Sequence, residues 1–138
     1  MSADEFVLAV LLVDGRYVLQ LRDNKPNIDA PGVWGLFGGR IEPGEQASEA
    51  VVREVREELC VEMHDSRLLW KTDEPERSTG PSRRYWFFEA DFTDGWAQHC
   101  LTEGRAARCF SFSELANLPM PDLIRHALTR HHLACLSR

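Results

Sequence analysis

The chain has 138 residues, of which 43% are hydrophobic and 28% are charged, and its formal net charge is −6 at pH 7. This length and composition are typical of one globular domain spanning residues 1–138, and they exclude a disordered or fibrous chain. The net negative charge and the lack of a block of basic residues argue against tight binding to long nucleic acid. They still allow a small polyphosphate ligand, because bridging cations can neutralise its charge.

The first predicted element is a strand in the apolar run "FVLAVLLV", residues 6–13. The run is far shorter than the roughly 20 residues that a membrane helix needs. Asp4 and Glu5 precede it, where a signal peptide would carry basic residues. We therefore expect a cytoplasmic protein without a membrane segment. Asp14–Gly15 predicts a hairpin into an alternating strand over 16–22, with the first strand buried on both faces.

The remaining elements predict a mixed sheet with helices packed against it. A loop over 23–32 leads to a short apolar strand in "WGLFGG", and a helix is expected to begin near Gln46 or Ala47 and to end near Cys60. The later elements are listed by range: strands over 67–72 and 83–92, a shorter strand in "ARCFSF", a short helix in "SELANL" and a final helix over about 122–136. This order is typical of an α+β fold arranged as an α/β/α sandwich.

The spacing of cysteine and histidine does not predict a metal site. The sequence has no C-x-x-C pair, so we expect scattered reduced thiols at Cys60, Cys100, Cys109 and Cys135. In the final helix, His126 stands five and six residues before His131 and His132, which is not the spacing of two ligands on one helical face. We expect these histidines on the polar side of that helix.

The helix predicted after residue 46 carries more carboxylates than a solvent-exposed helix needs. At about 100° per residue, one arc is apolar and faces the core: Val51, Val55 and Leu59. The adjacent arc is acidic: Glu54, Glu57 and Glu58. Like charges at these spacings cost roughly 0.2–0.5 kcal/mol per pair, a cost that a bound Mg²⁺ reverses. Gly38 and Gly39 would let backbone approach a ligand closely. The spacing alone leaves a metal site and a solvated surface helix as two interpretations.

The stretch from Gly39 to Val61 resembles the Nudix box, in which a glycine, five residues, a glutamate and seven residues lead to Arg-Glu-apolar-x-Glu-Glu-x-Gly-apolar. Here it reads glycine, "RIEPG", Glu45, "QASEAVV" and then "REVREELCV". Every ionic position agrees, and "WGLFGG" with the order of strands extends the resemblance over most of the chain. Two positions depart: Cys60 replaces the box glycine, where a left-handed side chain costs about 1 kcal/mol, and Phe37 replaces the proline usual in MutT-like members.

The resemblance implies a site for one to three Mg²⁺ ions, for which Mn²⁺ can substitute. The implied ligands are the backbone carbonyl of Gly38 and the side chains of Glu54, Glu57 and Glu58. MutT-like enzymes use a further glutamate on a later loop as metal ligand or general base. Glu103, followed by Gly104, stands in the matching place, with an ordinary turn residue as the alternative.

The implied reaction is hydrolysis of a nucleoside diphosphate linked to another group, X. Metal ions withdraw charge from the phosphates and acidify a water, and a carboxylate takes its proton. Arg53 and Glu45 are expected to pair, which orients Glu54 and fastens the preceding loop to the helix.

The implied substrate is a small nucleotide. The protein is expected to be a monomer or a homodimer. MutT-like members release pyrophosphate and a nucleoside monophosphate from a nucleoside triphosphate with an ordinary or oxidised base. Hydrolysis of ADP-ribose, another nucleotide sugar or a dinucleotide is an alternative. A non-catalytic nucleotide sensor is a further alternative, although such a domain would be expected to have lost box glutamates.

Four residues are predicted to contact the substrate: Arg22, Phe37, Arg84 and Asp122. The arginines, with Arg77 and Arg83 as further candidates, would bind phosphate unless they are solvated surface. Phe37 would stack on a base unless it packs in the core. Asp122 would contact a purine edge unless it caps the final helix.

Overall fold

The structure, a computed structural model, describes residues 4–22, 32–74, 82–102 and 106–137. Within these ranges seven strands form one sheet: β1 (Asp4–Val13), β2 (Arg16–Leu21), β3 (Trp34–Gly35), β4 (Phe37–Arg40), β5 (Arg67–Asp73), β6 (Arg83–Asp91) and β7 (Ala106–Phe110). The order is β3-β2-β1-β6-β5, with β4 also paired to β1 and β7 to β2. Because β1 and β6 are parallel and the other pairs are antiparallel, the predicted mixed sheet is confirmed.

The predicted hairpin joins β1 to β2. Asp14 and Gly15 have φ values of 50° and 77°, and positive φ at both positions is what a two-residue turn of type I′ requires. Side chains along β1 alternate between the two faces of the sheet. Val7 and Ala9 are fully buried on one face and Val10 on the other, so burial on both faces is confirmed.

Helices cover both faces of the sheet, which confirms the predicted sandwich. Helix α1 (Ala47–Leu59) packs on one face, and helix α3 (Asp122–Leu136) packs on the other together with a 3₁₀ turn (Phe112–Asn117). A single-turn helix, α2 (Thr93–Trp96), was not predicted because four residues show no helical periodicity. Within the described ranges, no helix combines the length and the apolar character needed to cross a bilayer.

Both ends of α1 have a defined cap. At the start, the amide of Gln46 donates to the carboxylate of Glu49 at 2.9 Å, which satisfies a backbone donor that the helix leaves unpaired. At the end, Cys60 is left-handed, with φ 62° and ψ 24°. This is the conformation for which a helix terminus favours glycine, so the substitution of the box glycine by cysteine places a side chain where it is disfavoured.

His131 in α3 contradicts the predicted polar histidine face. The residue is 2% exposed, with Nδ1 2.8 Å from the hydroxyl of Tyr17 and Nε2 2.6 Å from a carboxylate oxygen of Glu89. Arg67 on β5 pairs with the same carboxylate. The helix sequence alone could not reveal this, because the partners come from three distant strands. This chain of contacts ties α3 to β2 and β6.

The cysteines also differ from expectation. Cys60 and Cys100 form a disulfide, whereas Cys109 and Cys135 are free thiols. The prediction of reduced thiols is therefore wrong for the first pair. The two residues are 40 positions apart in sequence, and they meet because the chain returns after α2 to the end of α1.

Candidate active site

The acidic arc of α1 passes from the core to the solvent. Glu58 is 7% exposed, the side chain of Glu54 is 14% exposed and that of Glu57 is 56% exposed. The carboxylates of Glu58 and Glu54 have lost much of their hydration, so they require hydrogen bonds or an opposite charge nearby.

The glycine pair of β4 lies against this arc. The amide of Gly38 donates to Oε2 of Glu58 at 3.1 Å. A Cβ atom at Gly39 would stand 2.5 Å from Oε1 of Glu54, and one at Gly38 would stand 2.0 Å from the carbonyl oxygen of Val7. Gly38 is therefore required by the close approach of backbone, whereas a side chain at Gly39 would have to displace the carboxylate of Glu54.

Arg53 joins the arc to the loop that precedes α1. Its Nε and Nη2 donate to the two carboxylate oxygens of Glu45 at 2.8 and 2.9 Å. Its Nη1 donates to Glu54 at 3.0 Å and to Glu57 at 3.3 Å, and Nη2 also donates to the carbonyl of Arg40 at 3.1 Å. One planar guanidinium thus fixes the loop, the end of β4 and two members of the arc.

The same contacts keep the Arg53–Glu45 pair ionised. Hydrogen bonding from Arg53, with a second bond from the amide of Glu42, lowers the pKa of Glu45 to about 2. The pairing with Glu45 correspondingly raises the pKa of Arg53. The guanidinium remains charged throughout the accessible pH range, so it also offsets part of the negative charge of Glu54.

The donor set suits a hard divalent cation. Carboxylate oxygens grouped on one helix are ligands that Mg²⁺ takes in proteins, usually together with substrate phosphates. Glu54 and Glu58 line a single cleft with Gly38 and Gly39, so the oxygens face a common space. Gly38, Glu54 and Glu58 are predicted metal-site residues that the cleft brings together, and Glu57 stands beside them on the solvent side. Coordination by the carbonyl of Gly38 stays a prediction.

The cleft has a volume of about 570 Å³, in the range of sites that take a small organic ligand. The arc contributes the carboxylates of Glu54 and Glu58, and a third carboxylate, that of Glu74, also lines the cleft. The apolar lining includes Phe6, Leu8, Leu36, Tyr85, Leu123 and Ile124. A cleft with this mixed lining can contact both a charged group and a flat ring.

Two arginines complete the wall of the cleft, Arg22 and Arg83. The guanidinium carbon of Arg83 lies 5.3 Å from the ring centroid of Phe6. That ring also stacks on Tyr85 at 5.4 Å, and Arg40 approaches it to 5.2 Å. The contact with Phe6 holds the positive charge of Arg83 on the cleft wall.

The structure places the predicted substrate contacts in different surroundings. Arg22 lines the cleft, as does the further candidate Arg83. Phe37 is 0% exposed in the core beneath α1, which leaves no ring face for a base, and the prediction for this residue is wrong. Arg84 points away from the cleft and pairs with Asp73 at 2.8 Å, because successive residues of β6 face opposite sides.

Asp122 is neither in the cleft nor the cap of α3. It is the first helical residue, with Pro121 at the capping position. It lines an adjacent depression that shares Glu74 and Leu123 with the cleft. Glu103, predicted as a metal ligand or general base, lies outside the described residues.

Sequence reasoning missed the apolar wall of the cleft. Phe6 and Tyr85 lie directly opposite each other in the parallel pairing of β1 with β6. The alternation of apolar residues in both strands was visible in the sequence. The sequence did not show which face of the strands is left open and so lines the cleft. The parallel pairing and the position of α3 decide that face.

Comparison with known proteins assigns the chain to a family. The sequence profile of the NUDIX domain matches residues 5–131. A NAD-capped RNA hydrolase, NudC, from Chromobacterium violaceum is 33% identical over 124 residues, which cover 90% of this chain and 44% of NudC. A CTP pyrophosphohydrolase from Escherichia coli is 40% identical over 62 residues, or 45% of this chain and 44% of that protein. The matched stretches thus cover less than half the length of each of these curated relatives.

A solved structure agrees with this fold over nearly the whole chain. The solution structure of the E. coli ORF135 protein superposes with a TM-score of 0.76 at 26% identity and covers 97% of this chain and 94% of its own. The mixed sheet and the placement of the helices are therefore shared with a protein of known structure.

Proposed function

The chain belongs to the NUDIX domain family of hydrolases, and from this premise we propose that it is a Mg²⁺-dependent pyrophosphohydrolase. Its proposed substrate is a nucleoside triphosphate with an ordinary or oxidised base, and its products are a nucleoside monophosphate and pyrophosphate. The proposal includes action in the cytoplasm as a monomer or homodimer.

One observation carries the proposal: acidic donors and an apolar wall line the same cleft. Glu54 and Glu58 supply the acidic donors, and Tyr85 and Ile124 belong to the apolar wall. A nucleotide has the matching division, since its polyphosphate needs cations and its base is flat and largely apolar on its faces. Arg22 and Arg83 stand where they could contact phosphate oxygens.

The residues divide the work in a way that follows from their contacts. Glu54, Glu57 and Glu58 would hold the metal, which when bound withdraws charge from the phosphates and increases the acidity of water. Arg53 orients Glu54 through Nη1 while its other nitrogens are fixed by Glu45. A carboxylate of the site would accept the proton of the attacking water. Glu103 remains the candidate for that base by resemblance.

A dinucleotide substrate is a second candidate. The NudC relative matches 90% of this chain at 33% identity, and its name describes a hydrolase of NAD-capped RNA. In a nucleoside triphosphate and in a dinucleotide alike, the bond broken is a phosphoric anhydride next to a nucleoside. The acidic arc could therefore bind the metal in the same way for either substrate.

The test is a substrate panel with purified protein, with Mg²⁺ and with excess chelator. The panel contains the common nucleoside triphosphates, 8-oxo-purine triphosphates, ADP-ribose and NAD, and products are separated by chromatography. We expect a triphosphate to yield monophosphate and pyrophosphate only with Mg²⁺. A preference for NAD would support the second candidate. Binding that raises thermal stability, without turnover of any panel member, would contradict hydrolysis and favour a sensor.

A further inference from the structure

The disulfide joins the end of the metal-binding helix to a distant segment. Cys60 follows the last turn of α1 directly, two residues after Glu58. Cys100 belongs to the segment that runs from α2 toward β7. The bond therefore crosses between the helix that carries the acidic arc and a chain segment that contributes nothing to the sheet at that point.

The same segment caps the carbonyls of the last helical turn. The amide of Cys100 donates to the carbonyl of Leu59 at 3.0 Å, and the amide of Thr102 donates to that of Glu58 at 3.0 Å. The hydroxyl of Thr102 lies 2.7 Å from the carbonyl oxygen of Glu57 and 3.2 Å from that of Glu58. The carbonyls at a helix end have no partner within the helix, so these bonds satisfy the backbone of two members of the arc.

The bond is accessible to solvent reagents. Cys60 and Cys100 are both exposed, whereas the free thiols of Cys109 and Cys135 are half-buried. Burial also raises the pKa of the Cys109 thiol, which lowers its nucleophilicity at neutral pH. Free thiols are already reduced, so among these four cysteines only the exposed disulfide can react with a reductant.

We propose that the Cys60–Cys100 disulfide is a reversible thiol–disulfide exchange site that controls the affinity of the acidic arc for divalent metal. Its reaction partner is a dithiol. The dithiol thiolate attacks one sulfur, the S–S bond breaks, and closure of the dithiol into its own disulfide releases two protein thiols. Two electrons and two protons pass from the dithiol to the cysteines, and the reverse reaction restores the bond.

The oxidised protein is the tight-binding state. With the bond closed, the segment around Thr102 is held against α1, and the last turn keeps Glu57 and Glu58 in place. With the bond open, the segment that carries Thr102 is no longer fastened to α1, so the last turn loses the hydrogen bonds to its carbonyls and frays. Loss of a group that positions metal ligands typically weakens metal binding by about 10- to 100-fold. This inference rests on the proposed metal site.

The test compares the oxidised full chain with the chain reduced by dithiothreitol, in two measurements. The first is amide hydrogen exchange without metal in peptides that cover residues 56–61 and 98–102. The second is Mn²⁺ binding followed by electron paramagnetic resonance. We expect reduction to speed exchange in both peptides and to raise the Kd for Mn²⁺ about tenfold. Reoxidation should restore both values.

Two variants separate the bond from the strain at Cys60. Cys60→Gly with Cys100→Ala removes the disulfide and places glycine where a left-handed residue is needed, so the helix end remains favourable. We expect it to bind Mn²⁺ as the reduced protein does, whether or not dithiothreitol is present. The matched control, Cys109→Ser with Cys135→Ser, should keep the full response to reduction.

The outcomes distinguish this inference from the proposed function. Equal and finite Mn²⁺ affinity in the oxidised and reduced protein would overturn the exchange site while leaving the metal site intact. Absence of Mn²⁺ binding in both states would contradict the metal site itself. Unchanged exchange in the two peptides, or oxidised-like affinity in the Cys60→Gly variant, would show that the bond does not hold the arc.

Discussion

Arg53 binds Glu45 through two hydrogen bonds of 2.8 and 2.9 Å and uses its remaining nitrogen to reach Glu54 and Glu57. The side chain of Arg53 is only 15% exposed, and Glu45 also accepts the amide of Glu42 at 3.0 Å. The pair therefore positions the acidic arc from the loop before α1, whereas the disulfide lies after its last turn. Its geometry is bidentate, the arrangement in which an arginine–carboxylate contact is strongest.

The first prediction concerns the acid stability of the Arg53–Glu45 pair. The pKa of Glu45 is about 2 in the folded chain against an ordinary value of 4.5, so its contribution is present above pH 4.5 and is lost as pH falls from 4.5 toward 2. Glu45→Gln should lower the free energy of unfolding by about 1–3 kcal/mol at pH 7 and by progressively less below pH 4.5. Urea denaturation as a function of pH measures the difference.

A control for Glu45 is available on the surface. Glu62 pairs with Arg56, and both side chains are more than half exposed. Glu62→Gln should change stability by less than about 1 kcal/mol, without the same dependence on pH. A pH-independent loss in Glu45→Gln would contradict the ionic explanation.

The second prediction concerns two of the carboxylates that we propose as metal ligands. Glu57→Gln and Glu58→Gln each keep a side chain of similar volume but remove a negative oxygen donor, so kcat should fall roughly 10²- to 10⁴-fold. Thermal unfolding should stay cooperative, since the amide oxygen introduced by Glu58→Gln could still accept a hydrogen bond from Gly38. Turnover and calorimetry are measured on the same preparations, with Glu62→Gln as the active control. Near-normal turnover in both variants would remove the support for a metal site on α1.

The third prediction uses two neighbouring arginines on opposite faces of β6. Arg83 lines the cleft, whereas Arg84 pairs with Asp73 outside it. Arg83→Ala should raise KM about tenfold, the loss expected from one charged hydrogen bond to phosphate, and Arg84→Ala should leave KM unchanged. Steady-state kinetics on the best substrate of the panel decides between them. A larger effect at Arg84 would place the phosphates on the other face of the sheet.

The fourth prediction concerns the buried contact between Tyr17 and His131. Tyr17→Phe removes the partner of Nδ1 at 2.8 Å in a site where His131 is 2% exposed, so the variant should lose about 1–3 kcal/mol of stability. The other tyrosine is a control with a longer contact, since the hydroxyl of Tyr85 donates to Glu74 at 3.4 Å and also interacts with Arg83. Denaturant unfolding should show a smaller loss for Tyr85→Phe. Equal losses would mean that the contact of the Tyr17 hydroxyl with His131 contributes no more to stability than the contacts of the Tyr85 hydroxyl.

The sequence predicted the elements well wherever a local pattern determines them. The hairpin at Asp14–Gly15 and the final helix over 122–136 follow from turn residues and apolar spacing, and both are observed. The acidic arc was predicted for the same reason, since side chains three and four positions apart share a helix face. Family resemblance then supplied Glu45 and Arg53 as a pair, and the structure brings them into contact.

Features that depend on distant segments could not be predicted. The disulfide joins residues 40 positions apart, and His131 finds Tyr17 more than 100 positions away. Phe37 was misassigned because an aromatic residue beside a glycine pair fits a stacking role as well as a core role. Only the packing of α1 over β4 shows that its ring is covered.

Strand β1 supplies two surfaces at once: Val7 and Ala9 fill the interior beneath α1, while Phe6 and Leu8 form part of the cleft. Sliding this strand by a single residue against β6 would exchange the two sets. Substrate selectivity and folding therefore depend on the same alignment of one strand. A sequence change that shifts the strand would therefore unfold the chain; it would not yield a folded enzyme with an altered range of substrates.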